Sequence, residues 1–133
     1  MGLPGSGKTW LAERLQKRLE CAWFNADEVR RMANDWEFSE HARIRQARRM
    51  CNIANYEKGE GRTVICDFVC PTELTRHIFE ADYTIWMNTI EEGRFLDTNA
   101  IFEKPEKVDL CLDRFITEKE VDLIANSIAG VHT

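Results

Sequence analysis

Eight residues near the start of the chain, GLPGSGKT from Gly2 to Thr9, place glycines, a lysine and a hydroxyl at the spacing G-x-x-x-x-G-K-T. That pattern belongs to loops that wrap the phosphates of a nucleoside triphosphate. Glycines at positions 2, 5 and 7, with Pro4 and Ser6 between them, let successive backbone N–H groups turn inward around an anion. Lys8 supplies a point charge for the outer phosphates and Thr9 a hydroxyl for a magnesium ion. A helix beginning here aims its positive end at the same place. The ligands expected from these residues are ATP and Mg2+. The competing reading is a chance glycine-rich turn before an amphipathic helix, on which Leu11, Leu15 and Leu19 recur at helical spacing.

Two carboxylates have the right context for phosphoryl transfer. Asp27 follows the apolar run CAWFNAD (Cys21 to Asp27), where it could handle the proton of an acceptor hydroxyl, an assistance worth about 10²- to 10⁴-fold. Its alternative role is N-cap of the next helix. Asp67 interrupts the apolar stretch TVICDFV (Thr63 to Val69). An unpaired charge there would cost several kcal/mol, so it needs either a magnesium ion with its water shell or a buried arginine or lysine.

For an acceptor that carries its own charge, Arg43 and then Arg30 are the candidate grips, since a guanidinium holds phosphate or sulfate through two parallel bonds. A solvated helix face is the alternative for each. Trp36 and Phe38 lie in a polar loop, and Phe38 could clamp a flat base; Trp10, Trp23 and Trp86 read as packing. His41, His77 and His132 lack metal-ligand spacing and read as surface or helix residues.

The elements that must position these groups alternate. A helix follows the phosphate loop, then come a strand ending near Asp27, a short helix, and a long helix from about Ser39 as N-cap to Lys58, with Gly59 as its stop. Ile44, Ala47, Met50 or Cys51, and Ala54 give that helix its inner face. The strand at Thr63 to Val69 closes at Pro71 before a helix from Thr72 to about Glu80. Strands at Tyr83 to Asn88 and Val108 to Leu112 and a helix at Glu118 to Ala129 complete the order. This alternation predicts an α/β fold with a parallel sheet sandwiched by helices, of the P-loop NTPase or kinase type, as one domain over residues 1–133. In such sheets ligands collect at the carboxyl ends of the strands, where the phosphate loop, Asp27 and Asp67 all fall.

One strand is missing from this order. A phosphate loop normally leaves the end of a buried central strand, but only Met1 precedes Gly2. Its two neighbours would then stand about 10 Å apart, roughly twice the usual spacing. A truncated N-terminus or a strand supplied by something else would each account for this.

Composition narrows the remaining options. The 133 residues are 44% hydrophobic and 31% charged, with no apolar run long enough for a bilayer and no signal-peptide pattern, so a cytoplasmic location is expected. The formal charge of −5 argues against nonspecific binding to nucleic-acid backbones, and neither a nucleic-acid nor a membrane partner is expected. It is uneven: Arg30, Arg31, Arg43, Arg45, Arg48, Arg49 and Arg62 oppose an acidic second half, a distribution suited to a small anionic substrate. Cys21, Cys51, Cys66, Cys70 and Cys111 contain no Cys-x-x-Cys pair and read as reduced core residues.

The segments GLPGSGKTWLAERL, NADEVRRM, FSEHARIRQARR, FVCP and FEKPEKVDLCLD follow one another in the order seen in adenylylsulfate kinases, and the chain resembles that family over most of its length. The resemblance implies transfer of the γ-phosphate of ATP to the 3′-hydroxyl of adenosine 5′-phosphosulfate, in sulfate assimilation, on a P-loop kinase fold with a mobile lid. It implies that Asp27 activates the acceptor hydroxyl, that Arg30 and Arg43 bind the acceptor, that Phe38 stacks on its adenine, and that Val69 and Cys70 belong to the acceptor-side loop. Gln46 stands where the family has an asparagine, Cys70 where it has a serine, and Asn25 and Ala26 where it has Asp-Gly. Gly93 to Phe102 forms a shortened lid from which Arg94 could reach the phosphates; Asp97 and Asn99 have no role legible in the sequence. The alternatives are a kinase of another small metabolite or nucleotide, and an ATP-binding module without catalysis. Homodimer formation is left open.

Overall fold

A computed structural model of the chain describes residues 1–131; His132, assigned above to the surface or a helix, lies outside them. Helix α1 (Lys8–Leu19) leaves the phosphate loop directly, and strand β1 (Ala22–Asn25) follows it. Helix α2 (Ala26–Ala33) is capped by Asn25, whose side chain accepts the Glu28 N–H; Asp27 therefore sits in the first turn and is not the cap. Helix α3 (Glu40–Gly59) begins at Ser39, which accepts the Ala42 N–H as the sequence suggests. Gly59 belongs to its last turn, and the left-handed residue that turns the chain is Gly61, at φ 74°.

Strand β2 (Val64–Asp67), helix α4 (Glu73–Phe79) and strand β3 (Ile85–Met87) come next. They are followed by helix α5 (Leu96–Ile101), strand β4 (Leu110–Leu112) and helix α6 (Glu118–Val131). The short helix α5 lies in the lid segment, where no helix is anticipated from sequence.

All observed pairings are parallel. β1 runs beside β2 from Ala22↔Val64 to Asn25↔Asp67, and β3 beside β4 from Ile85↔Leu110 to Met87↔Leu112. Two clusters of buried apolar residues cover the strands. Leu11 and Leu15 of α1 pack with Val121, Ile124, Ala125 and Ile128 of α6, and Ala26, Val29 and Met50 join α2 to α3. Within β2, Ile65 packs with the first cluster and its neighbour Cys66 with the second, the alternation of a strand covered on both faces. The cysteines are all unpaired, but only Cys21 and Cys70 are buried; Cys111 is exposed, so the core placement expected for the set fails there. The cause is that Cys111 lies on β4, whose burial alternates with its pleat.

The sheet is interrupted where the sequence predicts. β1–β2 and β3–β4 are separate two-stranded sheets, and a cavity of about 590 Å³ lies between them. Its lining includes all four residues of β2, Ile85 and Met87 of β3, and the α1 leucines at 11, 15 and 19. Met1 borders this cavity and pairs with β3: its nitrogen donates to the Ile85 carbonyl at 2.7 Å and its carbonyl accepts from the Met87 N–H at 2.8 Å. Those two bonds have the pattern of a parallel ladder. Gly2 then crosses the end of β3 so closely that a Cβ there would lie 2.7 Å from the Met87 carbonyl oxygen. Only glycine fits this approach.

Candidate active site

A cleft of about 790 Å³ opens at the carboxyl ends of β1 and β2. The volume is within the range of small-molecule sites. It is lined by Pro4, Gly5, Gly7, Lys8 and Thr9 from the phosphate loop, by Asp27, Arg30, Phe38, Arg43 and Gln46 from α2, α3 and their connection, by Asp67, Val69 and Cys70 after β2, and by Arg94 from the lid. Every site residue named from the sequence therefore meets in one cleft except Gly2 and Ser6. Gly2 is used in the close approach to Met87. Ser6 is fully buried, with its N–H bonded to the Leu3 carbonyl and its own carbonyl accepting from Thr89 Oγ1. Both shape the loop from beneath and do not line the cleft.

At the floor, Thr9 Oγ1 donates to Asp67 Oδ2 at 2.9 Å, and Asn25 Nδ2 donates to the same oxygen at 3.0 Å. Asp67 is only 4% exposed, and its other oxygen, Oδ1, is buried without a hydrogen-bond partner among the described residues. The arginine or lysine partner weighed for Asp67 is not there: among the described residues it forms no ion pair. A buried carboxylate oxygen without a partner, beside the hydroxyl that follows the loop lysine, fits a hydrated magnesium ion, which keeps several waters and takes one or two protein oxygens. Thr9 and Asp67 are the residues that would hold it.

Lys8 Nζ donates to the Leu3 carbonyl at 3.0 Å, which leaves two of its three protons for phosphate oxygens. Burial pulls its pKa down, Asp67 and Asp27 act in the opposite direction, and the Arg94 charge adds to the lowering. Arg94 thus acts on the same volume as the loop lysine. Asp27 is exposed on the cleft wall in the first turn of α2. A carboxylate there is solvated enough to exchange a proton while facing the loop.

One wall of the cleft is built around an aromatic ring. The Arg30 guanidinium lies 4.6 Å and that of Arg43 5.4 Å from the centroid of Phe38, whose residue is 52% exposed. Arg30 Nη1 donates to the carbonyls of Asp35 and Glu37, and Arg43 Nε to that of Phe38. Each arginine is held by the loop it borders while its remaining N–H groups stay uncommitted by those bonds. Burial pulls both pKa values down, and Asp97 opposes that shift at Arg43. Beneath them Asp35 takes Arg45 and Arg49, which hold its carboxyl far below the usual carboxylate range.

Gln46 lines the cleft, yet its amide is engaged at both ends. Nε2 donates to the Ala26 carbonyl at 3.1 Å and Oε1 accepts from Arg49. It ties α3 to the start of the helix that carries Asp27, so its contribution is positioning. Cys70 is buried in a left-handed conformation at φ 48°, with Sγ 3.7 Å from Thr75 Oγ1 and burial pushing its thiol up to about 11. It is no nucleophile at neutral pH. Arg76, unremarked in the sequence, donates to the carbonyls of Cys70, Pro71 and Glu103 and lies 5.2 Å from the Phe102 ring centroid. Nothing in its position within the helical stretch ELTRHIF signals this role. Asn25 carries a local signal, since an asparagine between a strand and a helix is a strong cap candidate.

A phosphate loop at the head of a helix, parallel strands and a cleft at their carboxyl ends define a P-loop kinase fold. The sequence model of the family described as adenylylsulphate kinase matches residues 1–89, and the chain belongs to that family. It is 34% identical over 86 residues to a probable adenylyl-sulfate kinase of Aeropyrum pernix, covering 58% of this chain and 45% of the relative. It is 36% identical over 83 residues to an adenylyl-sulfate kinase of Pseudomonas entomophila, covering 58% of this chain and 40% of the relative. The chain thus spans less than half the length of these curated relatives. Among solved structures, the Mycobacterium tuberculosis APS kinase CysC in complex with AMPPNP and APS matches 98% of this chain and 92% of its own, with a TM-score of 0.78 at 21% identity.

Proposed function

We propose that this chain is an ATP- and Mg2+-dependent phosphotransferase that carries the γ-phosphate to the 3′-hydroxyl of adenosine 5′-phosphosulfate. The observation that carries this reading is the single cleft in which Lys8, Thr9 and Asp67 face Asp27, Arg43 and Phe38. Lys8 and the loop N–H groups bind the donor phosphates, with Arg94 reaching them from the lid. Thr9 and Asp67 hold the metal, whose contribution when bound is to neutralise charge on the phosphate oxygens. Asp27 accepts the proton of the acceptor hydroxyl. Phe38 offers a face to the adenine, while Arg43 and Arg30 grip the anionic groups, and Val69 and Cys70 shape the adjoining wall.

Family membership supports the acceptor, and the solved relative named for its complex with APS supports a sulfated nucleotide in this cleft. We extend the reading to a cytoplasmic site of action on the same family grounds; no helix among the described residues is long and apolar enough to cross a membrane. A second reading, a kinase of another small metabolite, draws on Gln46 and Cys70, whose polar groups are turned to the protein interior. ATP consumption measured against a panel of acceptors separates the two. Turnover with adenosine 5′-phosphosulfate above all others is expected; turnover only with a different acceptor replaces the first reading with the second, and ATP binding with no turnover at all reduces the chain to a binding module.

A further inference from the structure

The lid contains a closed hydrogen-bonded pair. Gly93 N–H donates to Asn99 Oδ1 at 2.8 Å, and Asn99 Nδ2 donates to the Gly93 carbonyl at 3.0 Å. One carboxamide thus satisfies both backbone groups of one residue, and residues 93–99 form a ring closed at its base. That base rests on the phosphate loop: a Cβ added to Gly93 would lie 3.0 Å from the Pro4 carbonyl oxygen and 3.1 Å from Pro4 Cδ. At the other side of the ring Thr98 is only 6% exposed, which seats α5 against the body of the protein.

Between these anchors stands Arg94, one residue past the clasp. It lines the cleft and forms no ion pair among the described residues; its guanidinium lies 5.4 Å from the Phe95 ring centroid. The same ring carries Asp97, which lines the cleft too and acts electrostatically on Arg43. Asparagine is a weak helix former, and Asn99 lies inside the six-residue helix α5, so intrinsic propensity does not account for it there. Its side chain closes the lid on itself through two hydrogen bonds. A tethered backbone loses less freedom when its arginine engages a phosphate than a free loop does.

We propose that Asn99 is a positioning residue: its two-way clasp on Gly93 holds Arg94 in place over the terminal phosphate of the bound triphosphate. This rests on the reading of the cleft as a triphosphate site and assigns a function to a residue that touches no ligand itself. The clasp makes the short lid a preformed arm, packed closely against Pro4 at one end and carrying the guanidinium one residue further on.

The test is calorimetry of a non-hydrolysable Mg·ATP analogue and of Mg·ADP with the native chain, Asn99→Ala, Arg94→Ala and the double variant. Each single change is expected to weaken the triphosphate analogue about tenfold, the loss of roughly one charge-assisted contact, while Mg·ADP changes little. The double variant should bind no more weakly than Arg94→Ala, because Asn99 acts through Arg94. Hydrogen exchange at the Gly93 amide should quicken in Asn99→Ala and not in Arg94→Ala. Unchanged analogue affinity in Asn99→Ala, additive losses in the double variant, or equal losses for both nucleotides would overturn the proposal. If the analogue binds with this coupling but no acceptor is phosphorylated, the clasp stands and the proposed reaction falls; if the native chain binds no triphosphate, both fall.

Discussion

Thr9 and Asp67, 58 positions apart in the chain, meet at 2.9 Å, and the carboxylate oxygen that does not face the hydroxyl is buried without a hydrogen-bond partner among the described residues. This pairing joins the end of the phosphate loop to the end of β2. It places a negative charge whose hydrogen bonds, among the described residues, come from the neutral donors Thr9 and Asn25, with the Lys8 charge acting without a direct bond.

Replacing Asp67 by asparagine separates its two effects. Asp67→Asn removes a poorly compensated buried charge, so thermal stability should hold or rise. The Mg2+ concentration giving half-maximal turnover should increase about tenfold or more. Melting curves and a metal titration of the rate check this. A marked loss of stability with unchanged metal dependence would give Asp67 a purely structural role.

Asp27 is tested by the same isosteric change. Asp27→Asn should slow turnover by about 10²- to 10⁴-fold and leave ATP affinity within a few-fold, because Asn25 and not Asp27 caps α2. Single-turnover rates and ATP calorimetry read the two effects separately. A rate equal to that of the native protein removes Asp27 from proton transfer.

The two arginines beside Phe38 should behave differently. Arg43→Ala should raise the acceptor KM more than the ATP KM, since its structural bond is one contact to an adjacent loop carbonyl. Arg30→Ala should in addition lower stability by about 1–3 kcal/mol, because Arg30 is 5% exposed and its loss leaves the Asp35 and Glu37 carbonyls without that donor. Urea unfolding and acceptor kinetics measure both. A larger effect of Arg43→Ala on the ATP KM would move that residue to the donor side.

The interrupted sheet yields a prediction about engineered chains. Joining about six or seven apolar residues ahead of Met1, a length of roughly 20 Å when extended, should raise the melting temperature by several degrees as the new segment pairs with β2 and β3. A scrambled polar extension is the control. Equal melting temperatures for the native and extended chains would mean that the cavity between the half-sheets does not accept a strand.

Much of this was legible in the sequence because the signals are local. The phosphate loop is a contiguous motif, the helix starts at Ser39 and Thr72 follow from their side-chain oxygens, and the strand ends fall where Asp27 and Asp67 suggest. The rest depends on which way side chains turn across elements. Gln46 is polar and faces the cleft in the helical pattern, but its amide is taken by Ala26 and Arg49 through the packing of α2 on α3. Asp67 has a choice of partners that only the strand order resolves. Asn99 and Gly93 are six positions apart with a loop and a helix start between them, a span over which no periodicity predicts a contact.

Arg76 helps to tie together two segments far apart in the sequence. Its guanidinium holds the carbonyls of Cys70 and Pro71 after β2 and that of Glu103 just beyond the lid, and the Glu103 N–H returns to the Pro71 carbonyl. With that backbone bond, the guanidinium couples a displacement of either segment to the other. Donor and acceptor affinities should then be thermodynamically linked, each ligand altering the other's dissociation constant by the same factor.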